Sequence, residues 1–90
     1  MKSLRILISG TVQGSLYRKY LEEEGKKIGV RGFVRMKEDG KIEVVIEGID
    51  EKVNAMLDLI KKGEKHVEIR NVEVIDIKYQ GFSGFKLLKL

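Results

Sequence analysis

The apolar residues of this chain recur with a period of two in some segments and with the period of a helix in others, and the order of these segments limits the fold. Leu4–Ile8 and Ile42–Ile46 alternate between apolar positions and positions that tolerate polar residues. Alternation of this kind predicts strands that are half buried. Between them, apolar residues at helical spacing predict a helix over Leu16–Ile28.

Glycines and capping residues predict where the first elements begin and end. Ser15 stands at the N-cap position before the first helix, and Gly29 stands at the C′ position after it. A second strand is predicted over Val30–Lys37. The following Asp39-Gly40 is a tight-turn signal, which joins this strand to the third strand as a hairpin.

The second half of the chain contains a further helix and two further strands. Asp50 is the expected cap of this helix and Gly63 its end. A strand preceded by an extended connector is predicted within Val67–Tyr79, and a short last strand over Phe85–Leu90. The helix is amphipathic, with apolar residues at i, i+3, i+4 and i+7: Val53, Met56, Leu57 and Ile60.

The resulting order is β-α-β-β-α-β with a short C-terminal edge strand, which belongs to the α+β class. Right-handed crossovers place both helices on one face of an antiparallel sheet, and this is the ferredoxin-like two-layer sandwich. Ninety residues are enough for one such core, so we expect residues 1–90 to form a single domain. The apolar run near the N-terminus is too short for a signal sequence or a membrane span, which predicts a cytoplasmic protein. We also expect a monomer.

The composition excludes several kinds of site. The chain has no cysteine and one histidine, His66, so disulfides, thiolate chemistry, the usual zinc sites and most catalytic triads are excluded. His66 lies in a polar connector and is interpreted as a surface residue. The net charge of +4 fits either a mixed-sign surface or attraction for an anionic ligand such as a phosphate ester or nucleic acid. Abundant Lys and Glu with few Asn, Gln and Met are typical of thermophile proteins.

The first strand-to-helix loop has the chemistry of an anion site. Gly10 and Gly14 permit positive φ angles, which lets backbone N–H groups converge on one point. The helix that follows adds its unpaired N–H groups and the positive end of its dipole. Arg18, in the first turn, can hold two oxygens of a phosphoryl group with its guanidinium.

Four segments of the chain are similar to motifs of the acylphosphatase family. The segment 10–18, GTVQGSLYR, resembles the signature G-x-V-Q-G-V-x-F-R, and the segment 28–36, IGVRGFVRM, resembles L-G-x-x-G-W-V-R-N. Asp39-Gly40 together with the segment 43–48 matches D-G-x-V-E-x-x-x-x-G. Gly84-Phe85-Lys86 is similar to the C-terminal strand of the family, so the resemblance covers essentially the whole chain.

The resemblance implies hydrolysis of acyl phosphates to a carboxylate and phosphate, without a metal or cofactor. It implies that Arg18 anchors the phosphoryl group and that inorganic phosphate binds at the same place. It also implies a cradle of backbone N–H groups from five residues: Gln13, Gly14, Ser15, Leu16 and Tyr17. The Ser15 hydroxyl is interpreted either as the helix cap or as a further contact to the anion.

The chain departs from the family at Met36, where the family has an asparagine that orients the attacking water. A thioether is at best a weak hydrogen-bond acceptor and cannot hold a water in line. Loss of one such group costs on the order of 10²–10³ in rate, by analogy with a lost oxyanion donor. Asn54 and Asn71 are predicted to lie far from the loop, and strand alternation predicts Lys37 on the opposite face. Two functions therefore remain open, slowed hydrolysis and phosphate binding without turnover.

A single-stranded RNA-binding module is the alternative from another class. The same element order occurs in RNA-recognition domains, and the segment 31–34, RGFV, is similar to the start of their RNP1 motif. That motif belongs on the third strand, whereas here it lies on the second. The predicted first strand, Leu4–Ile8, carries no aromatic residue for base stacking, so nucleic acid is not the expected partner.

Overall fold

The computed structural model describes residues 1–89 and confirms the predicted order of elements. Leu90, the last residue of the predicted final strand, lies outside the described residues. The elements are β1 Lys2–Thr11, α1 Ser15–Ile28, β2 Arg31–Met36, β3 Ile42–Gly48, α2 Asp50–Lys62, β4 Glu68–Asp76 and β5 Phe85–Leu87.

The five strands form one sheet in the order β4-β1-β3-β2-β5, with both helices on one face, so the ferredoxin-like α+β sandwich is confirmed. The pairs β1–β3, β1–β4 and β2–β3 are antiparallel. The edge strand β5 instead runs parallel to β2, pairing with Gly32–Val34, so the sheet is mixed. Among residues 1–89, no helix is long and apolar enough to cross a membrane.

The core lies between the sheet and the helices. It takes alternate residues from the central strands, such as Ile6 and Ile8 of β1 and Val44 of β3, all with 0% exposure. Of the four residues whose spacing predicted α2, three are fully buried and Leu57 packs at the margin of the core. Burial of this apolar stripe stabilises α2 by roughly 1.5–3 kcal/mol for each large side chain.

The predicted N-cap of each helix lies one residue C-terminal to the observed one. Gly14, not Ser15, is the N-cap of α1, and Ile49, not Asp50, is the N-cap of α2, with no side-chain cap hydrogen bond at either. Asp50 and Glu51 instead occupy the first turn of α2, where negative charge stabilises the positive end of the helix dipole. The predicted helix ends are confirmed, and Gly29 has the expected left-handed φ of 95°.

The segment between β4 and β5 crosses the face of the sheet that the helices leave open. Within Val67–Tyr79 the predicted order of connector and strand was wrong: β4 begins at Glu68, and the chain leaves the sheet after Asp76. The Ile77 N–H still donates to the Ser3 carbonyl at 3.1 Å. Farther along, the ring of Phe82 packs edge-on against Phe33 of β2, with centroids 5.7 Å apart. This crossing brings the chain from one edge of the sheet to the other.

Candidate active site

The first loop is tied to the start of β4 by a close backbone approach. A bulge in the β1–β4 pairing falls between Ser9 and Gly10, and Gly10 has a φ of 145°. A Cβ atom on Gly10 would lie only 2.0 Å from the Glu68 carbonyl oxygen, so no larger residue fits. The Glu68 N–H donates to Thr11 Oγ1 at 2.9 Å, which is a second contact between the first loop and the start of β4. Gly14, in contrast, has a φ of −68°, so the predicted need for a positive φ was right for Gly10 and wrong for Gly14.

On its other side the loop is tied to the β2–β3 hairpin by the side chain of Gln13. Its Nε2 donates to the Gly10 carbonyl at 3.0 Å and to the Gly40 carbonyl at 3.4 Å. Gly40 has a φ of 86°, as the predicted Asp-Gly turn requires. Sequence reasoning assigned only the N–H of Gln13 to the site and missed this bracing role. Fully buried Val12 fixes the loop from below.

The N-terminus of α1 is open to an anion. The helix begins at Ser15 without a side-chain cap, and its first turn contains no acidic residue. The first N–H groups of a helix have no intrahelical partner, and they carry the positive end of its dipole. Ser15 and Leu16 are exposed, and the Ser15 hydroxyl does not cap the helix. Of the predicted cradle residues, 15–17 thus form the N-terminal turn of α1, whereas Gly14 is its N-cap and Gln13 lies in the loop before it.

Arg18 projects from this turn into a cleft of about 280 Å³ that Met36 also lines. The structure thereby brings together the two residues that the sequence assigned to catalysis. The Nε atom of Arg18 is buried, and within residues 1–89 it has no hydrogen-bond partner. A buried donor without a partner costs about 1–3 kcal/mol, so its position here favours an anionic ligand over a structural role.

Lys37 and Glu38 line the same cleft as Arg18, and this corrects the prediction for Lys37. Strand alternation was expected to send its side chain to the opposite face. However, β2 ends at Met36, and from Lys37 the chain enters the hairpin turn, closed by the Lys37 N–H to the Lys41 carbonyl at 2.8 Å. Alternation no longer applies there. The available signal was the Asp-Gly turn two residues later, which limits how far β2 can extend.

Tyr17 is the most buried of the predicted cradle residues, with 3% of its surface exposed. Its ring stacks on that of Tyr20, with centroids 6.3 Å apart, and within residues 1–89 its hydroxyl has no hydrogen-bond partner. Burial raises the pKa of Tyr17 to about 12, with smaller contributions from Tyr20 and Glu64. The phenol therefore stays protonated and remains a potential donor at neutral pH.

The other polar residues that are candidates from the sequence lie away from the cleft. Asn54 of α2 accepts a hydrogen bond from Lys2 at 2.9 Å, and Asn71 lies in β4 opposite Ser9. His66 is exposed, as expected. In the part of the chain that the structure describes, no group of three or more His, Cys, Asp or Glu side chains is placed to hold a metal ion.

The structure weakens the case for RNA binding. The RGFV segment lies on β2, not on the central strand β3, and Phe33 is engaged with Phe82. Arg31 stacks over the ring of Tyr79, 5.8 Å from its centroid. The crossing segment thus occupies the aromatic and basic side chains that base stacking would need.

Comparison with known proteins identifies the family. The acylphosphatase family model matches residues 4–87. An acylphosphatase of Methanocella arvoryzae is 33% identical over 87 residues, which is 97% of this chain and 99% of that protein. An acylphosphatase of Thiobacillus denitrificans is 38% identical over 84 residues, covering 91% of this chain and 94% of that one. The crystal structure of acylphosphatase from Bacillus subtilis superposes with a TM-score of 0.91 at 24% identity, covering 99% of this chain and 100% of that one. With the family model matched over residues 4–87 and relatives more than 30% identical over nearly the whole chain, this chain belongs to the acylphosphatase family.

Proposed function

We propose that this chain hydrolyses acyl phosphates to a carboxylate and inorganic phosphate, and that Arg18 holds the phosphoryl group. The observation that carries the proposal is the buried, unpartnered Nε of Arg18, beside the uncapped N-terminus of α1 and in one cleft with Met36. As a cytoplasmic monomer, the protein would meet small acyl phosphates or phosphate in solution.

In this proposal the phosphoryl oxygens lie against the N–H groups of the segment 13–17 and the guanidinium of Arg18. Water attacks phosphorus, a new P–O bond forms, and the bond from phosphorus to the carboxylate oxygen breaks. The carboxylate departs, and both protons of the attacking water remain with the phosphate product. A good leaving group needs little acid or base assistance, so positioning and charge stabilisation supply most of the rate.

Met36 sets the rate in this proposal. Its thioether offers the attacking water no useful hydrogen bond. Lys37 and Glu38, the two residues that follow Met36, line the same cleft. We therefore propose slow turnover, limited by the orientation of water and not by binding of the phosphoryl group. The alternative, supported by the same substitution, is phosphate binding without turnover.

The test compares benzoyl phosphate hydrolysis by wild type, Arg18→Ala and Met36→Asn. We expect Arg18→Ala to lower kcat/KM at least about 10²-fold, because a charge-assisted clamp on the phosphoryl oxygens is lost. Met36→Asn is expected to raise kcat by about 10²–10³ with little change in KM, because it acts on the water and not on the phosphoryl group. Arg31→Ala, an arginine that stacks over Tyr79 outside the cleft, is the matched control.

Hydrolysis by Arg18→Ala at the wild-type rate would overturn the proposal. If wild type is silent while Met36→Asn is active, the cradle is competent and the natural chain binds phosphate without turning over. If neither variant nor wild type hydrolyses benzoyl phosphate or binds phosphate, both functions fail.

A further inference from the structure

A second cleft lies on the other side of the α1 N-terminus, between this helix and the connector from α2 to β4. We call it the α1–β4 groove. It has a volume of about 400 Å³, within the range of about 300–1,000 Å³ that is usual for small-molecule sites. Apolar and aromatic side chains make up half of its lining, namely Leu16, Tyr17, Tyr20 and Val67. The other lining residues are Thr11, Gly14, Glu64 and His66.

The α1–β4 groove has a mainly apolar wall, and one of its side chains ends in a buried hydroxyl without a partner among residues 1–89. The Tyr17 side chain lines it, is 97% buried (3% exposed), and has a hydroxyl without a partner among residues 1–89. Leu16 adds a large apolar side chain that is 82% exposed. A wall made mainly of apolar and aromatic side chains suits a ligand that is mainly apolar.

The α1–β4 groove is continuous with the proposed phosphate cradle. Gly14, Leu16 and Tyr17 line the groove with their atoms and also belong to the N-terminal turn that would bind phosphoryl oxygens. The cleft on the opposite side is lined by charged side chains, among them Arg18 and Lys37. A molecule with one anionic end and one apolar end would therefore find both environments across one helix turn.

The geometry of phosphoryl transfer assigns one cleft to the attacking water and the other to the leaving group. In an in-line displacement, the leaving oxygen departs opposite the attacking water. Met36, on the proposed water side, lies at the end of β2, whereas Val67 immediately precedes β4. In the sheet, β1 and β3 separate these strands, so the clefts flank the first loop from opposite sides. The leaving carboxylate then faces the α1–β4 groove.

We propose that the α1–β4 groove binds the acyl group of the substrate, and that the chain prefers acyl phosphates with an aromatic or bulky apolar acyl group. The ring or chain packs on Leu16, Tyr20 and Val67. This inference rests on the proposed hydrolase function and adds the substrate class to it.

The test is the ratio of kcat/KM for benzoyl phosphate to that for acetyl phosphate. We expect a ratio of about 10 or more in wild type, because each additional buried CH₂-sized group contributes about fourfold. Tyr20→Ala, which removes one wall, is expected to lower the ratio about 3–10-fold. Val67→Phe, which fills the groove, is expected to lower it as well. Tyr79→Ala is the matched control, since Tyr79 is exposed at the opposite end of the sheet.

A ratio near one in wild type, or a ratio unchanged by both Tyr20→Ala and Val67→Phe, would overturn the inference while leaving the hydrolase function intact. Loss of all hydrolysis and of phosphate binding in wild type would instead overturn the proposed function. Competition by inorganic phosphate, unchanged in Tyr20→Ala, shows that the variant is folded with its cradle in place.

A binding measurement extends the test to a chain that does not turn over. In amide NMR spectra of wild type saturated with inorganic phosphate, benzoate is expected to shift the signals of Leu16, Tyr20 and Val67 more than acetate does. Equal shifts from the two carboxylates, or shifts confined to residues outside the α1–β4 groove, would contradict the proposed acyl site.

Discussion

Buried polar groups have hydrogen-bond partners at one end of the sheet and lack them, among residues 1–89, at the other. At the end where β1 begins, the fully buried Glu47 carboxylate accepts the Ser3 hydroxyl at 2.9 Å and the N–H groups of Gly81 and Phe82 at 3.0 and 3.2 Å. The N–H of Gln80 is a fourth donor. At the end where β1 enters the first loop, Arg18 Nε and the Tyr17 hydroxyl are also buried. Within residues 1–89, neither has a partner.

The comparison separates a structural polar network from a binding site. Burial and charge occur at both ends, and what differs is whether the chain supplies the partners. A satisfied buried carboxylate fixes the segment that crosses the sheet, whereas unsatisfied donors impose a cost that a ligand can remove. Changes at Glu47 should therefore alter stability with little effect on turnover, and changes at Arg18 should do the reverse.

The largest effect on stability is expected for Glu47→Ala. The substitution leaves four donors around a fully buried side-chain position without their acceptor, the Ser3 hydroxyl among them buried as well, so we expect the free energy of unfolding to fall by about 3–5 kcal/mol. Urea denaturation measures this loss. Glu73→Ala, an exposed glutamate on the edge strand β4, is the control and should change stability by less than about 0.5 kcal/mol. A loss below about 1 kcal/mol for Glu47→Ala would show that the crossing segment is held by other contacts.

The next largest effect is the gain in stability from a ligand at the opposite end. Inorganic phosphate at 100 times its Kd should raise the free energy of unfolding of wild type by about 2.7 kcal/mol. Arg18→Ala should show almost no gain at the same phosphate concentration, while Glu47→Gln should keep the gain. Thermal unfolding with and without phosphate measures both. An equal gain in Arg18→Ala would mean that the anion binds elsewhere.

The elements that the sequence predicts well are those specified by local chemistry. Three examples depend only on residues close together in the sequence: the Asp39-Gly40 turn, the apolar stripe of α2 and the left-handed conformation of Gly29. The N-caps failed by one residue because Ser15 and Asp50 are equally suited to the first turn. The end of β2 at Met36, and hence the position of Lys37, was missed because the alternating pattern continued past the strand.

The partners of Glu47 could not be predicted from the sequence, because its backbone donors lie 33–35 residues away. Such contacts depend on the path of the crossing segment and on the parallel pairing of β5, which no local pattern encodes. The sequence did contain a partial signal. Glu43 and Glu47 lie on the same face of β3, which is the central strand of the sheet. A charged residue at the centre of a sheet requires a partner, and Glu43 has two, Arg5 and Arg35.

A smaller effect is the acid sensitivity that Glu47 and Glu43 give the fold. Burial raises the pKa of each, but hydrogen bonds outweigh it. The donors are the N–H groups of Gln80, Phe82 and Gly81 with the Ser3 hydroxyl at Glu47, and two guanidinium groups at Glu43. The net pKa of each lies below the ordinary 4.5.

Because the folded pKa of each carboxyl is lowered, the unfolded chain takes up protons first as the pH falls. The contribution to stability is complete above the unfolded value of 4.5 and disappears as the pH falls through the folded pKa. Urea midpoints at pH 7, 5, 4 and 3 should therefore decline below about pH 5, and less steeply in Glu47→Gln than in wild type. Equal slopes in the two proteins would assign the acid sensitivity to other groups.

The smallest effect on the free energy of unfolding is expected for Arg18→Met, measured without phosphate. Methionine keeps most of the aliphatic stem that packs beside the cleft and removes the buried Nε donor. The lost packing is then small, and the cost of about 1–3 kcal/mol for an unpaired donor disappears. We expect the free energy of unfolding to stay within about 1 kcal/mol of wild type or to rise, while phosphate binding is lost. A marked loss of stability would show that Arg18 is part of the structural network, as Glu47 is, and would remove the distinction between the two ends of the sheet.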